Sequence, residues 1–292
     1  MLTLSLNTFD PIFIEIAAQI GIDIIWIEME HASITLREAE NLCRITQGSG
    51  MLSLIRLPNS QREMVLKAAE TGTDMLMAPM IETTVDLKQL VKFAKYAPIG
   101  ERGFYSSSRA LNYGLGSTIA ELRSVANDRL MLWGQIETLP ALDRLDDLCQ
   151  VAGIDGIFIG SGDLSSAYGV PGEVSDPRVV NAVDLGLATS RQYNKSCASV
   201  MPSTDIQNWK QSPLDMVVVG GNVGFLVTAA KLLQEKLQLQ PAFPNDGMPR
   251  LTTAIEDPIG HTPFPKPHQR PTNITPSIPS PLLYPEHEDQ QS

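Results

Sequence analysis

The residues best suited to chemistry in this sequence stand at the ends of apolar runs. Glu28, Glu30 and His31 close the run Ile24-Ile25-Trp26-Ile27, and His31 is the only histidine before residue 261. A lone histidine is usually a harmless surface or core residue, but one flanked by carboxylates at the end of a buried run is a candidate acid–base group. Arg56 ends Leu52-Ser53-Leu54-Ile55. Gln135 and Glu137 end the run from Leu130, Ser161, Gly162 and Asp163 follow Ile157-Phe158-Ile159-Gly160, and Asn222 follows Met216-Val217-Val218-Val219-Gly220-Gly221. Glu137 and Asp163 make the natural pair, since two carboxylates with few competing donors suit Mg²⁺ or Mn²⁺ and leave positions for water and substrate. Zinc would want more nitrogen or sulfur. The same two residues also fit a helix N-cap at Asp163 and a surface acid at Glu137, and spacing leaves both readings open. Gly160, Gly162 and their neighbours offer backbone amides for a substrate carboxylate. No G-x-G-x-x-G follows, and phosphate loops, H-E-x-x-H and G-x-S-x-G are absent.

These positions call for a scaffold of buried strands. Short apolar runs predict strands at residues 2–6, 24–28, 52–56, 75–80, 130–137, 156–160, 196–200 and 216–221. Between them lie helical segments. Asp10-Pro11 opens one to about Gln19, Thr35-x-x-Glu38 is a capping box that starts one to about Gln47, and Ser60-x-x-Glu63 starts one to about Thr71. Others are expected at residues 84–97, 117–127, 140–151, 177–193, 204–211 and 223–237. Eight strands alternating with helices predict a (β/α)8 TIM barrel, and the near-equal spacing favours it over a doubly wound open sheet. The C-terminal strand ends would then carry the site. No lysine ends a strand, so a Schiff-base nucleophile is missing and metal-stabilised enolate chemistry is favoured.

The 292 residues are 43% hydrophobic with a formal charge of −11, which argues against nucleic acid and anionic membranes as partners. Cys43, Cys149 and Cys197 lie in or beside apolar runs and read as reduced, buried thiols. With neither a signal peptide nor a membrane-length apolar run, a cytoplasmic protein is expected. The barrel is expected to occupy residues 1–238. Twelve of the 21 prolines fall in residues 241–292, so residues 239–292 read as a disordered, proline-rich C-terminal tail.

Several motifs, in their order along the chain, resemble a known family. Trp26-Ile27-Glu28-Met29-Glu30-His31, Leu54-Ile55-Arg56, Ala78-Pro79-Met80, Gly100-Glu101-Arg102-Gly103, Gln135-Ile136-Glu137-Thr138 and Ile157 to Ser165 are similar to motifs of the HpcH/HpaI aldolases. These are class II, pyruvate-dependent aldolases of the phosphoenolpyruvate/pyruvate barrel superfamily. The resemblance implies Glu137 and Asp163 as ligands of a divalent metal and Arg56 as the cation that polarises the pyruvate keto oxygen. It implies His31 as the group that moves protons, with Gln135 and the Gly160-Ser161-Gly162-Asp163 backbone positioning pyruvate. It also implies a homo-oligomer, often with the last helix exchanged. The chain departs from the family with Glu28 and Glu70 where aspartate is common, the latter an acid implied to orient the histidine across subunits. Ser161 stands where proline is common, and the chain starts directly at its first strand.

The expected function is metal-dependent aldol cleavage of a 2-keto-4-hydroxy acid to pyruvate and an aldehyde. Two alternatives follow: an oxaloacetate decarboxylase or macrophomate-synthase-like enzyme forming carbon–carbon bonds on the same site, and an inactive barrel serving as an interaction scaffold. Substrate choice is expected to draw on the loop Gly100–Gly116, where Arg109 and Tyr113 are open to two readings, substrate contacts or, the commoner case, solvated loop residues.

Overall fold

The computed structural model describes residues 1–201 and 205–239 of the chain. In order the elements are β1 (Leu2–Leu6), α1 (Pro11–Gln19), β2 (Ile24–Glu28), α2 (Leu36–Gly48), β3 (Leu52–Arg56), α3 (Arg62–Glu70), β4 (Met75–Ala78) and α4 (Thr84–Ala94). There follow α5 (Ile119–Arg129), β5 (Met131–Ile136), α6 (Leu139–Leu142), α7 (Leu145–Cys149), β6 (Gly156–Ile159) and α8 (Ser161–Ala167). The barrel finishes with α9 (Pro177–Gln192), β7 (Ser196–Val200), β8 (Met216–Gly221) and α10 (Asn222–Leu237). The eight strands are parallel and close in sequence order, β8 pairing with β1, so the fold is a (β/α)8 barrel. Of the expected tail only Leu239 lies among the described residues, and Thr204, where one helix was expected to start, lies outside them.

Alternation along each strand sorts the core into two layers. Trp26, Leu54, Met77, Trp133, Phe158 and Met216 form an inner cluster that fills the barrel. Their strand neighbours Ile25, Ile27, Ile55, Leu76, Ile136 and Ile157 belong to the outer cluster under the helices. Each such buried side chain contributes about 1.5–3 kcal/mol. Gly156 makes the inner layer possible, because a Cβ there would stand 2.6 Å from the Trp133 ring. The same alternation carries Glu28 and Arg56 inward at one level, as they are register partners at the C-terminal ends of β2 and β3.

The expected caps are present on α1 and α2. Asp10 accepts from the Phe13 amide at 3.1 Å with Pro11 at the first helical position. The Thr35 and Glu38 side chains bond each other's backbone amides. The third helix starts later than expected: Gln61 is its N-cap, without a side-chain hydrogen bond, and Ser60 lies outside. The segment 140–151 is two short helices rather than one, broken at Asp143 and Arg144. The three cysteines are buried and unpaired, and burial pushes the Cys43 thiol up to about 11 and Cys197 to about 12. No helix among the described residues is long and apolar enough to cross a membrane.

Candidate active site

The turn after β2 is organised by Glu28, which is 2% exposed. Its Oε1 accepts from the amides of Glu30 at 2.7 Å and His31 at 2.9 Å. Its Oε2 accepts from Trp26 Nε1 at 3.1 Å and from Arg56 Nε at 2.6 Å, and stands in ion-pair contact with Arg56 Nη2 at 2.5 Å. Four hydrogen bonds and the ion pair to Arg56 engage both oxygens of this carboxylate. It is an anchor that fixes both the turn and the arginine, and one methylene beyond aspartate gives it that reach. The Arg56 guanidinium also lies over the Trp26 ring, 5.1 Å from its centroid. Two edges held this way leave Nη1 to point elsewhere, 3.5 Å from Gln135 Oε1 and 3.2 Å from Glu30 Oε2.

Glu30 lies between Arg56 and His31. Its Oε2 is buried and, although within ion-pair distance of Arg56, is out of line for a hydrogen bond. It stands 3.8 Å from His31 Nε2. Burial pushes its carboxyl above the ordinary value, helped by Glu28 and Asp163 and opposed by Arg56 and His31. The His31 side chain is 68% exposed, open to solvent in the single chain.

Across the mouth, Glu137 is 4% exposed. Its Oε1 accepts from the Met80 amide at 2.7 Å and its Oε2 from Gln135 Nε2. Burial raises its pKa to about 7, with the charges of Asp163 and Glu30 adding to the shift against the Met80 hydrogen bond. Each of its oxygens keeps a lone pair beyond the bond it accepts. Gly160 caps α8 and packs against this carboxylate, since a Cβ there would stand 2.8 Å from Glu137 Cβ. Asp163 lies exposed in the first turn of α8 rather than at its N-cap, while Ser161 is buried with its hydroxyl unpartnered. Gly162 lies open between them, with nothing within 4 Å of where a Cβ would sit.

Sequence reasoning missed Met80. Its amide reaches Glu137 because its backbone is left-handed, φ 52°, a costly conformation for a side chain of this size. Residue type carries no signal for such a backbone donor. Glu70 does not meet His31 within the chain. It ends α3 at the N-terminal face of the barrel, where its Oε1 accepts from Arg102 at 2.8 and 3.1 Å and from Tyr96 at 3.4 Å. The Gly100–Gly116 loop lies at that face too, because it follows α4 rather than β4. Arg109 there donates to Thr71 and Gly72 carbonyls and to Gln47 Oε1, near the start of β4. The substrate-contact reading of Arg109 is therefore corrected for the single chain.

The rim thus joins acids, one arginine, an amide and a histidine at the ends of β2, β3, β5 and β6, all within the stretch that a known family covers. The model of the HpcH/HpaI aldolase/citrate lyase family matches residues 2–222. The chain belongs to this family. Among its relatives, 2-keto-3-deoxy-L-rhamnonate aldolase of Escherichia coli is 31% identical over 193 residues, 66% of this chain and 71% of that one. Hydroxypyruvate/pyruvate aldolase of Roseovarius nubinhibens is 28% identical over 224 residues, 76% of this chain and 86% of that one. The crystal structure of an HpcH/HpaI aldolase from Desulfitobacterium hafniense shares the fold with a TM-score of 0.76 at 24% identity, covering 83% of this chain and 94% of that chain. The named relatives are aldolases, and this HpcH/HpaI chain is a carbon–carbon lyase.

Proposed function

We propose that the chain catalyses reversible aldol cleavage of a 2-keto-4-hydroxy acid to pyruvate and an aldehyde, with Mg²⁺ or Mn²⁺ held by Glu137 and Asp163. The observation that carries this reading is the charge imbalance at the rim. Glu28 and Glu30 take the one guanidinium of the rim, Arg56, while Glu137 is raised to about 7 by burial and by the charges of Asp163 and Glu30. Among the described residues no group of three or more His, Cys, Asp or Glu could hold a metal. The protein would supply two carboxylates, and water and substrate the remaining ligands, which is the habit of Mg²⁺. When bound, the ion supplies positive charge near the oxygen that becomes an enolate.

The chain's own residues account for the remaining steps. Removal of the C4 hydroxyl proton breaks the C3–C4 bond, frees the aldehyde and sends the electron pair into the keto group. Arg56 offers Nη1 to that developing oxyanion, with its other edge fixed on Glu28, so the donor is in place before charge appears. His31, beside Glu30, takes the hydroxyl proton and returns one to C3 to give pyruvate. Gln135, tied to Glu137, and the Gly160–Asp163 backbone orient the keto acid. The protein is expected to release pyruvate from such an acid, to lose this activity in EDTA and to regain it with Mn²⁺. Activity that survives EDTA overturns the metal role. Oxaloacetate assayed in parallel tests enolate formation by itself, since decarboxylation reaches the same enolate without an aldehyde.

The three unpaired cysteines support a reducing compartment, and we place the enzyme in the cytoplasm as a homo-oligomer. In α10 only Asn222 is buried, while Phe225, Leu226, Leu232 and Leu233 face solvent, a patch that suits self-association. Sedimentation of the full chain is expected to give a multiple of 31.9 kDa; a monomer mass would overturn this assignment.

A further inference from the structure

The β1 end of the mouth holds a polar side chain that the chemistry above does not use. Leu4 and Leu6 belong to the outer core, so Thr3 and Ser5 take the inward alternation, and the Asn7 side chain, just past the strand, bonds to that of Ser5. Ser5 pairs with Trp26 and Leu6 with Ile27, the last pair of that ladder, so Asn7 is the first residue past β1, towards the strand ends that carry Glu28 and Arg56. In a closed eight-stranded barrel β1 stands opposite β5, across the mouth from Glu137. The Asn7 backbone is pinned: its amide donates to Asn222 Oδ1 at 3.0 Å, and Asn222 Nδ2 donates to Thr8 Oγ1 at 2.6 Å. β8 closes on this strand end through Gly221, where a Cβ would stand 2.1 Å from Ser5 Oγ. Asn7 Oδ1 accepts from Ser5 Oγ at 3.3 Å, while Asn7 Nδ2 makes no hydrogen bond among the described residues. The residue is half-buried.

We infer that Asn7, backed by Ser5, selects the aldehyde partner by donating its Nδ2 hydrogen bond to a hydroxyl oxygen on the aldehyde-derived half of the substrate. The inference rests on the aldolase reading above. With pyruvate held on the β5–β6 side, the departing half extends towards the opposite wall. That wall is polar but uncharged, since neither β1 nor β8 ends in lysine or arginine. A carboxylate there would lack a partner, and an alkyl chain would leave the amide dry and unpaired. A short hydroxyaldehyde satisfies it. A site built to bond a hydroxyl rejects the analogue without one more strongly than an apolar pocket rejects an extra group.

The test runs the full-length protein in the condensation direction, with pyruvate and either glycolaldehyde or acetaldehyde, which differ by one hydroxyl. The wild type is expected to favour glycolaldehyde in kcat/KM by about tenfold or more. Asn7→Asp keeps the shape and the acceptor but removes the donor, and Asn7→Leu removes both; either is expected to bring the ratio to about one. Both should fold, because the bond to Asn222 comes from the backbone. Variants that keep the wild-type ratio, or a wild type without the preference, overturn the inference. Exchange of the pyruvate methyl protons with deuterium needs no aldehyde and reports the aldolase reading separately. Its absence in the wild type would overturn that reading and this inference with it, whereas exchange with an unmoved ratio overturns the role of Asn7 alone.

Discussion

Arg56→Lys is expected to lower both kcat and kcat/KM for aldol cleavage by about 10²–10³-fold while the protein stays folded. The charge is retained, so the loss measures geometry. Arg56 holds Glu28 with Nε and Nη2 and still presents Nη1 towards Gln135 and Glu30. A lysine has one nitrogen and cannot do both. The buried Glu28 carboxylate, already bonded to Trp26 and two backbone amides, would draw that nitrogen to itself and leave the enolate oxygen without its donor. Equal falls in kcat and kcat/KM would mark an interaction made in the transition state, and a rise in KM alone would mark ordinary substrate binding. Arg56→Ala is less informative, because an unpaired buried Glu28 would cost about 3–5 kcal/mol of stability. Wild-type kcat in Arg56→Lys would remove the guanidinium from the chemistry.

The division of labour between Glu28 and Arg56 also shows where sequence reading stops. The apolar runs, their count and their charged last residues were enough to expect a barrel with Glu28, Arg56, Gln135, Glu137 and Asp163 at one end, because inward alternation and parallel register follow from strand geometry alone. Which acid the guanidinium takes does not follow from residue types. Glu28 reads in the sequence as one of the acids flanking His31, and its four hydrogen bonds and ion pair with Arg56 show it holding the turn and the guanidinium. The helix α8 was missed because it is one of seven residues with glycine at its second position, and it is held by tertiary packing rather than propensity. The Met80 amide leaves no trace in composition, since its value lies in a φ angle. Asn7 was legible in principle: Thr3-x-Ser5-x-Asn7 is a polar alternation beside two leucines, a pattern that speaks only once β1 is known to border the mouth.

Glu137→Gln is expected to make the metal-free protein more stable at pH 8 while abolishing its activity. The Glu137 carboxyl is raised from an ordinary 4.5 to about 7, first by burial and then by Asp163 and Glu30. Between those values the folded state binds more protons than the unfolded one, so stability falls as pH rises through about 7 and is fully regained below about 4.5. The full penalty is roughly 3 kcal/mol at alkaline pH. Glutamine escapes it but donates where Glu137 only accepts, crowding the Met80 amide or Gln135 Nε2, a mismatch that gives back about 1 kcal/mol. The melting point of metal-free Glu137→Gln should exceed that of the wild type by several degrees, about 4–8 °C, at pH 8, and the gap should close towards pH 5. Mn²⁺ should raise the wild-type melting point and leave the variant unmoved, because a ligand that binds the folded state stabilises it only where the site survives. A variant no more stable than the wild type at pH 8 would dissolve the like-charge account of the rim. A variant still stabilised by Mn²⁺ would move the metal off Glu137. Either result would separate the acid cluster from the cation it is proposed to hold, since the stability gap is read without metal and the Mn²⁺ response only with it.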